Sequence, residues 1–188
     1  RSIKTEEDLD GFIQRYVLPT VNSWKVDNEQ HFLYLGLNGM QQYRVKFIMA
    51  KIAAYIDALR IGKTDTGILA PYMDSGVEIE HIMPQTCYDK ASYGVNNEDF
   101  DILINRLGNL ALLENSINKS IHNEDYASKS AAYQQSKFYL TKSIPGLVDQ
   151  GTNTAITRTN KKLISWGVWN KTSIEERQQM LYRLSEEI

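Results

Sequence analysis

Hydrophobic positions in this chain switch between two periods, and the switches mark its elements. Leu9, Phe12, Ile13, Tyr16 and Val17 recur at helical spacing, which predicts a helix over residues 5–16. Thr5 is its expected N-cap, acids fill its first turn and Pro19 lies just past its end. A polar connection follows, with a short helix predicted over 27–35 and a break at 36–39. Over 41–59 the stripe Tyr43, Phe47, Ala50, Ala54, Ala58 is widened by Val45, Ile48, Ile52, Tyr55, Ile56 and Leu59. So wide an apolar arc predicts a largely buried helix. The period then shortens: Val77, Ile79 and Ile82 predict a short strand, stopped by Pro84. Residues 86–99 read as a polar excursion and 100–104 as a short helix or turn. Residues 106–113 read as a second strand, entered through Gly108. A helix is then expected from 114, its body over 125–136, with Tyr126, Lys129, Ser130, Tyr133 and Lys137 on one face. After Pro145 and Gly146, a capping signal at Thr172–Glu176 announces a last helix carrying Ile174, Arg177, Leu181 and Leu184. Trp166 and Trp169 are expected core anchors just before it. The fold class is therefore α+β, mainly α with a small two-strand-plus-helix unit embedded in it.

The chain has 188 residues, enough for one medium domain. We expect an N-terminal helical part (1–70), a central core (71–142) and a C-terminal helical part (143–188), packed together. The start lacks Met, which suggests a fragment of a longer protein or a processed chain. No run approaches the roughly 18 apolar residues of a membrane span, so no membrane partner is expected. Cys87 is the only cysteine, which excludes an intrachain disulfide and a four-cysteine zinc site and points to a reducing, cytoplasmic setting. Net charge is −2, but it is unevenly spread. From 118 to 171 run Lys119, Lys129, Lys137, Lys142, Arg158, Lys161, Lys162 and Lys171, against Glu124, Asp125 and Asp149. Residues 65–101 are acidic by contrast. An acidic, cation-collecting stretch beside a basic one suits a phosphate polymer held through its backbone.

The candidate chemistry sits at Val77–Gln85. Glu80 offers a hard oxygen of the kind Mg²⁺ prefers. His81 offers an imidazole that takes a proton from water near neutral pH. Asn109, at the second strand, can hold that imidazole in one tautomer through its side chain or its carbonyl. Asn118 lies nine residues later, where its amide oxygen can complete a sparse cation site.

Glu80-His81-Ile82-Met83-Pro84-Gln85, then Gly108-Asn109-Leu110-Ala111-Leu112-Leu113, then Asn118, Asn123, Tyr126 and Lys129 at their spacing form a pattern. It resembles the HNH-like nuclease domain at the C-terminus of GmrSD- and SspE-type modification-dependent restriction and phage-defence proteins. The likeness is strongest over 77–142. It implies a ββα-metal endonuclease core with His81 as general base and Asn109 orienting it. Glu80 and Asn118 would hold Mg²⁺ (or Mn²⁺), with double-stranded DNA as substrate. It also implies an N-terminal nucleotide-hydrolysing (NTPase) domain in the full-length protein. There are two departures from the pattern. The last histidine of the HNH name is Asn118 here, and His122, one helical turn on, is the alternative second ligand. The 28-residue step from His81 to Asn109 also implies an insertion between the strands.

Lys119, Lys129 and Lys137 are the expected contacts to the DNA backbone, with Lys129 beside the scissile phosphate. Asn123 and Tyr126 are expected to be structural, His31 an ordinary histidine, and Cys87 no nucleophile. The rival readings are a catalytically silent nucleic-acid- or partner-binding helical module and a small-substrate metal hydrolase.

Overall fold

A computed structural model describes residues 5–65, 67–148 and 151–188, which divide into two compact units between Tyr34 and Leu35. The described part of the first unit is built of helix. Helix α1 (Glu6–Phe12) starts at a capping box between Thr5 and Asp8, passes through a π-helical turn (Ile13–Val17) and continues as α2 (Leu18–Leu33). The expected stop at Pro19 is therefore corrected. Pro19 falls in the first turn of α2, the position where a missing N–H and a fixed φ are tolerated.

The second unit is built around α3 (Gln42–Arg60). Val45, Met49, Ile52, Ala53 and Ile56 on α3 are almost completely buried. Small residues at 50, 53, 54 and 58 let α8 (Tyr139–Lys142) and α9 (Ala155–Asn160) pack close against it. Short α4 (Ala70–Met73) leads into β1 (Val77–His81). From α3, Lys46 Nζ reaches the carbonyls of Asp74 (2.8 Å) and Val77 (2.6 Å), which fixes where the strand begins.

Strand β1 pairs antiparallel with β2 (Leu110–Glu114), Val77 opposite Glu114 and His81 opposite Leu110. Leu110 to Leu113 are all buried, the continuous apolar run of a strand covered on both faces. Between the strands lie a 3₁₀ turn (Ala91–Tyr93) and α5 (Asn97–Leu103), so the insertion is ordered and partly helical.

Helix α6 (Asn115–Ile121) follows β2 directly and α7 (Tyr126–Tyr133) follows α6. The single helix expected here is broken at His122, whose φ of 46° cannot continue a right-handed helix. The last helix, α10 (Lys171–Ser185), is capped by Asn170 and Ser173 rather than by Thr172. It packs on the turn that enters β2: a Cβ on Gly108 would lie 2.1 Å from the carbonyl oxygen of Ile174, so only glycine fits. The fully buried Arg177 donates through Nη1 to the carbonyls of Gly108 (2.8 Å) and Leu110 (2.6 Å). Among the described residues its hydrogen-bond partners are backbone carbonyls, and burial pulls its guanidinium down to a pKa of about 10. Trp166 and Trp169 stack edge to face, 5.3 Å between centroids, as core anchors.

Candidate active site

The end of β1, the start of the following loop and one face of α6 enclose a cavity of ≈ 290 Å³ lined by Glu80, His81, Gln85, Asn118, Lys119 and His122, with the buried Lys129 in its wall. Side chains alternate along a strand, so Glu78 and Glu80 leave the same face of β1. Each meets a different helix.

Glu80 is buried and belongs to α7. Its Oε1 accepts from Lys129 Nζ at 2.6 Å and from the Tyr133 hydroxyl at 3.0 Å. Lys129 is only 1 % exposed and gives a second bond to the His81 carbonyl at 2.8 Å. The expectation of Lys129 as a DNA-backbone contact is corrected here. An ammonium sealed against a carboxylate and a carbonyl cannot reach a phosphate on the surface. The proton of the Tyr133 phenol, buried against Glu80, is held well beyond the ordinary tyrosine range by desolvation first and the nearby carboxylate second.

Glu78 belongs to α6. Its Oε1 accepts from Asn115 Nδ2 and its Oε2 from Asn118 Nδ2, each at 2.7 Å. Asn118 thus lines the cavity with its amide nitrogen committed to the strand.

The His81 imidazole is held below the usual histidine range. Burial is the main cause, the Lys129 charge adds to it, and a hydrogen bond with the Asn105 side chain opposes it. Gln85 Nε2 lies 3.5 Å from the ring Nε2. Asn105 is itself fixed, its Nδ2 donating to the Asp101 carbonyl at 3.1 Å and its own carbonyl accepting from Leu37 N–H at 2.8 Å. Gly36 makes that approach possible, since a Cβ there would sit 2.0 Å from the Asn105 oxygen.

Asn109 does not orient His81, contrary to expectation. Its side chain is fully buried and spends its hydrogen bonds elsewhere. Oδ1 accepts from Met83 N–H (2.8 Å) and Trp169 Nε1–H (3.0 Å), while Nδ2 donates to the carbonyls of Ile104 (3.0 Å) and Met83 (3.2 Å). Its carbonyl takes the Ile82 N–H at 2.9 Å. Asn109 therefore pins the backbone that leaves His81, and Gln85 is the side chain beside the ring nitrogen.

His122 is exposed, lines the cavity and holds its strained φ at the end of α6. Next to it, Asn123 clamps the loop after β1, accepting from Thr86 N–H (3.2 Å) and donating to the Thr86 carbonyl (2.7 Å). Tyr126 is buried, and its hydroxyl donates to the Trp166 carbonyl. Lys119 is exposed at the cavity. Lys137 is exposed too, but its backbone N–H is tied to Glu114, at the end of the ladder opposite His81. Burial raises the Cys87 thiol, which speaks against a reactive thiolate.

Among the described residues no three His, Cys, Asp or Glu side chains are grouped to hold a metal ion, and no helix is long and apolar enough to cross a membrane. The donor set still fits a hard, mostly hydrated cation, which uses one or two protein oxygens and leaves the rest to water and substrate phosphate.

Residues 25–184 match the family of GmrSD restriction endonucleases, C-terminal domain. The chain belongs to that family, which makes it a nuclease domain of a restriction system, with DNA as the substrate class. No curated protein and no solved structure matches it.

Proposed function

We propose that the chain is an HNH-like, metal-dependent DNA endonuclease domain that hydrolyses phosphodiesters at the cavity beside β1. The observation that carries this reading is that His81, Glu80 and Asn118 line one cavity, with burial holding the imidazole below the usual histidine range. His81 removes a proton from the attacking water. Lys129 and Tyr133 hold Glu80 by Oε1, which leaves its second oxygen for a cation. Asn118 supplies the amide oxygen, and His122 is the alternative ligand. Bound Mg²⁺ or Mn²⁺ would stabilise charge on the leaving 3′-oxygen. Lys119, and more remotely Lys137, would meet the DNA backbone. The family resemblance extends the proposal to a role against modified foreign DNA, alongside an N-terminal nucleotide-hydrolysing domain.

One observation favours the silent-module reading: Lys129 already supplies a positive charge to Glu80. Plasmid cleavage with and without Mg²⁺ or Mn²⁺, comparing the chain with His81→Ala, decides between them. Metal-dependent cleavage lost in a folded His81→Ala protein supports the nuclease mechanism. Binding of DNA without cleavage under any divalent ion supports the module.

A further inference from the structure

Glu78 was not among the candidate residues, and the proposed chemistry does not use it. It sits two positions before Glu80 on the same strand face and takes an asparagine amide on each oxygen. A carboxylate has no proton to donate, so the group that faces it must be the amide's NH₂. With Asn118 Nδ2 committed to Glu78 at 2.7 Å, the planar amide directs Oδ1 away from the strand. In a cavity lined by Asn118, Oδ1 is then the amide atom left free to face a cation. A flipped amide would point two N–H groups at it and repel a cation.

We propose that Glu78 is a positioning residue that locks the Asn118 amide so that its oxygen, not its nitrogen, faces the cation site. This rests on the metal-site reading above and deepens it. Asn115 contributes by occupying Glu78 Oε1, which leaves Oε2 aimed at Asn118. Ligands of bound metals are commonly oriented by such outer partners, whose loss costs about ten- to a hundredfold in metal affinity. The two glutamates of β1 thus divide the work. Glu80 is steadied by α7 and faces the cavity itself, whereas Glu78 steadies a ligand carried by α6.

Replacing Glu78 by glutamine leaves one acceptor oxygen for two amide donors. Asn115 can keep that oxygen, and Asn118 then meets an NH₂ and must flip. Adding Asn118→Asp reverses the donor and acceptor: the introduced amide donates to the introduced carboxylate, whose other oxygen faces the cavity.

The test is Mn²⁺ titration of the purified chain followed by electron paramagnetic resonance, with thermal unfolding alongside. The side-chain amide of Asn118 is followed by NMR in the metal-free protein. Glu78→Gln is expected to weaken Mn²⁺ binding about ten- to a hundredfold while the fold survives. Glu78→Gln/Asn118→Asp should restore affinity to within a few-fold of the parent. Asn118→Asp alone, which sets two carboxylates against each other, should bind no tighter than the parent. The parent should show a downfield, slowly exchanging Asn118 amide proton that Glu78→Gln loses. Unchanged Mn²⁺ affinity in Glu78→Gln, with Asn118→Ala weakened, overturns the role of Glu78 and leaves the metal site standing. Tighter binding by Asn118→Asp alone overturns it in favour of a purely charge-driven site. A parent chain that binds no Mn²⁺ removes the metal reading, and the positioning role with it.

Discussion

Lys129 reaches back 49 positions to put its ammonium 2.6 Å from the carboxylate of Glu80, and both side chains are shut away from solvent. A buried pair of this kind is unforgiving when one half is removed, because the other is stranded as an unpaired charge. Lys129→Ala should lose about 3–5 kcal/mol of stability, measured by urea unfolding. Lys129→Met/Glu80→Gln should recover a large part of that loss. A Lys129→Ala protein as stable as the parent would mean that the pair is not buried in solution.

The pH dependence follows from His81. Its folded-state pKa lies below the ordinary 6.5, so protonation is resisted by the native fold. Stability from this group is fully present above pH 6.5 and falls away as the pH drops through the lowered value. Activity should follow the same titration, with an acid limb in kcat/KM centred below 6.5. Asn105 opposes the downward shift, so Asn105→Ala should move that limb to lower pH still. It should also slow the reaction through loss of ring orientation. NMR titration of the imidazole checks both shifts.

Asn109→Ala should behave as a folding variant. It leaves the Met83 N–H and the Trp169 indole N–H without their acceptor, at about 1–3 kcal/mol for each buried group. The expected signature is a lower melting temperature with an unmoved acid limb. An intact melting temperature with selective loss of cleavage would return Asn109 to a catalytic role.

Gly108→Ala tests the seat of α10. The added methyl meets the Ile174 carbonyl at 2.1 Å, so helix and turn must part. Overpacking of this kind costs about 1–3 kcal/mol, and here it acts on backbone that cannot change rotamer. A melting curve indistinguishable from the parent would place α10 elsewhere.

For DNA, Lys119→Ala should flatten the plot of log affinity against log salt by about 0.9. Lys129→Ala, measured on whatever fraction stays folded, should leave that slope alone. Equal flattening by both would argue that Lys129 is exposed when DNA is bound.

Periodicity made α3, both strands and α10 legible, because each carries a long or well-patterned apolar face. It also placed Tyr126, Lys129 and Tyr133 on one face of α7, but it did not show that this face points inward. A lysine between two core tyrosines was the available signal for a buried partner, and the partner lay on another element. Asn105 was missed for a similar reason. It arrives through the insertion, and nothing local ties it to His81. The break at His122 was hidden because a left-handed residue there is not glycine. The motif fixed the neighbourhood of the cavity, while the hydrogen bonds inside it were settled by segments distant in sequence.

That distance has a temporal side. The backbone beside His81 depends on Asn109, and Asn109 on Trp169, 60 positions further on. The turn into β2 depends on Gln178, 70 positions beyond Gly108. Contacts so far apart in sequence form late, since the chain between them must be closed first. As this chain is synthesised, the Glu-His motif emerges long before the helix that holds its surroundings in shape. A chain made only as far as the motif therefore carries the Glu-His pair without the contacts from Trp169 and Gln178 that hold its surroundings in shape.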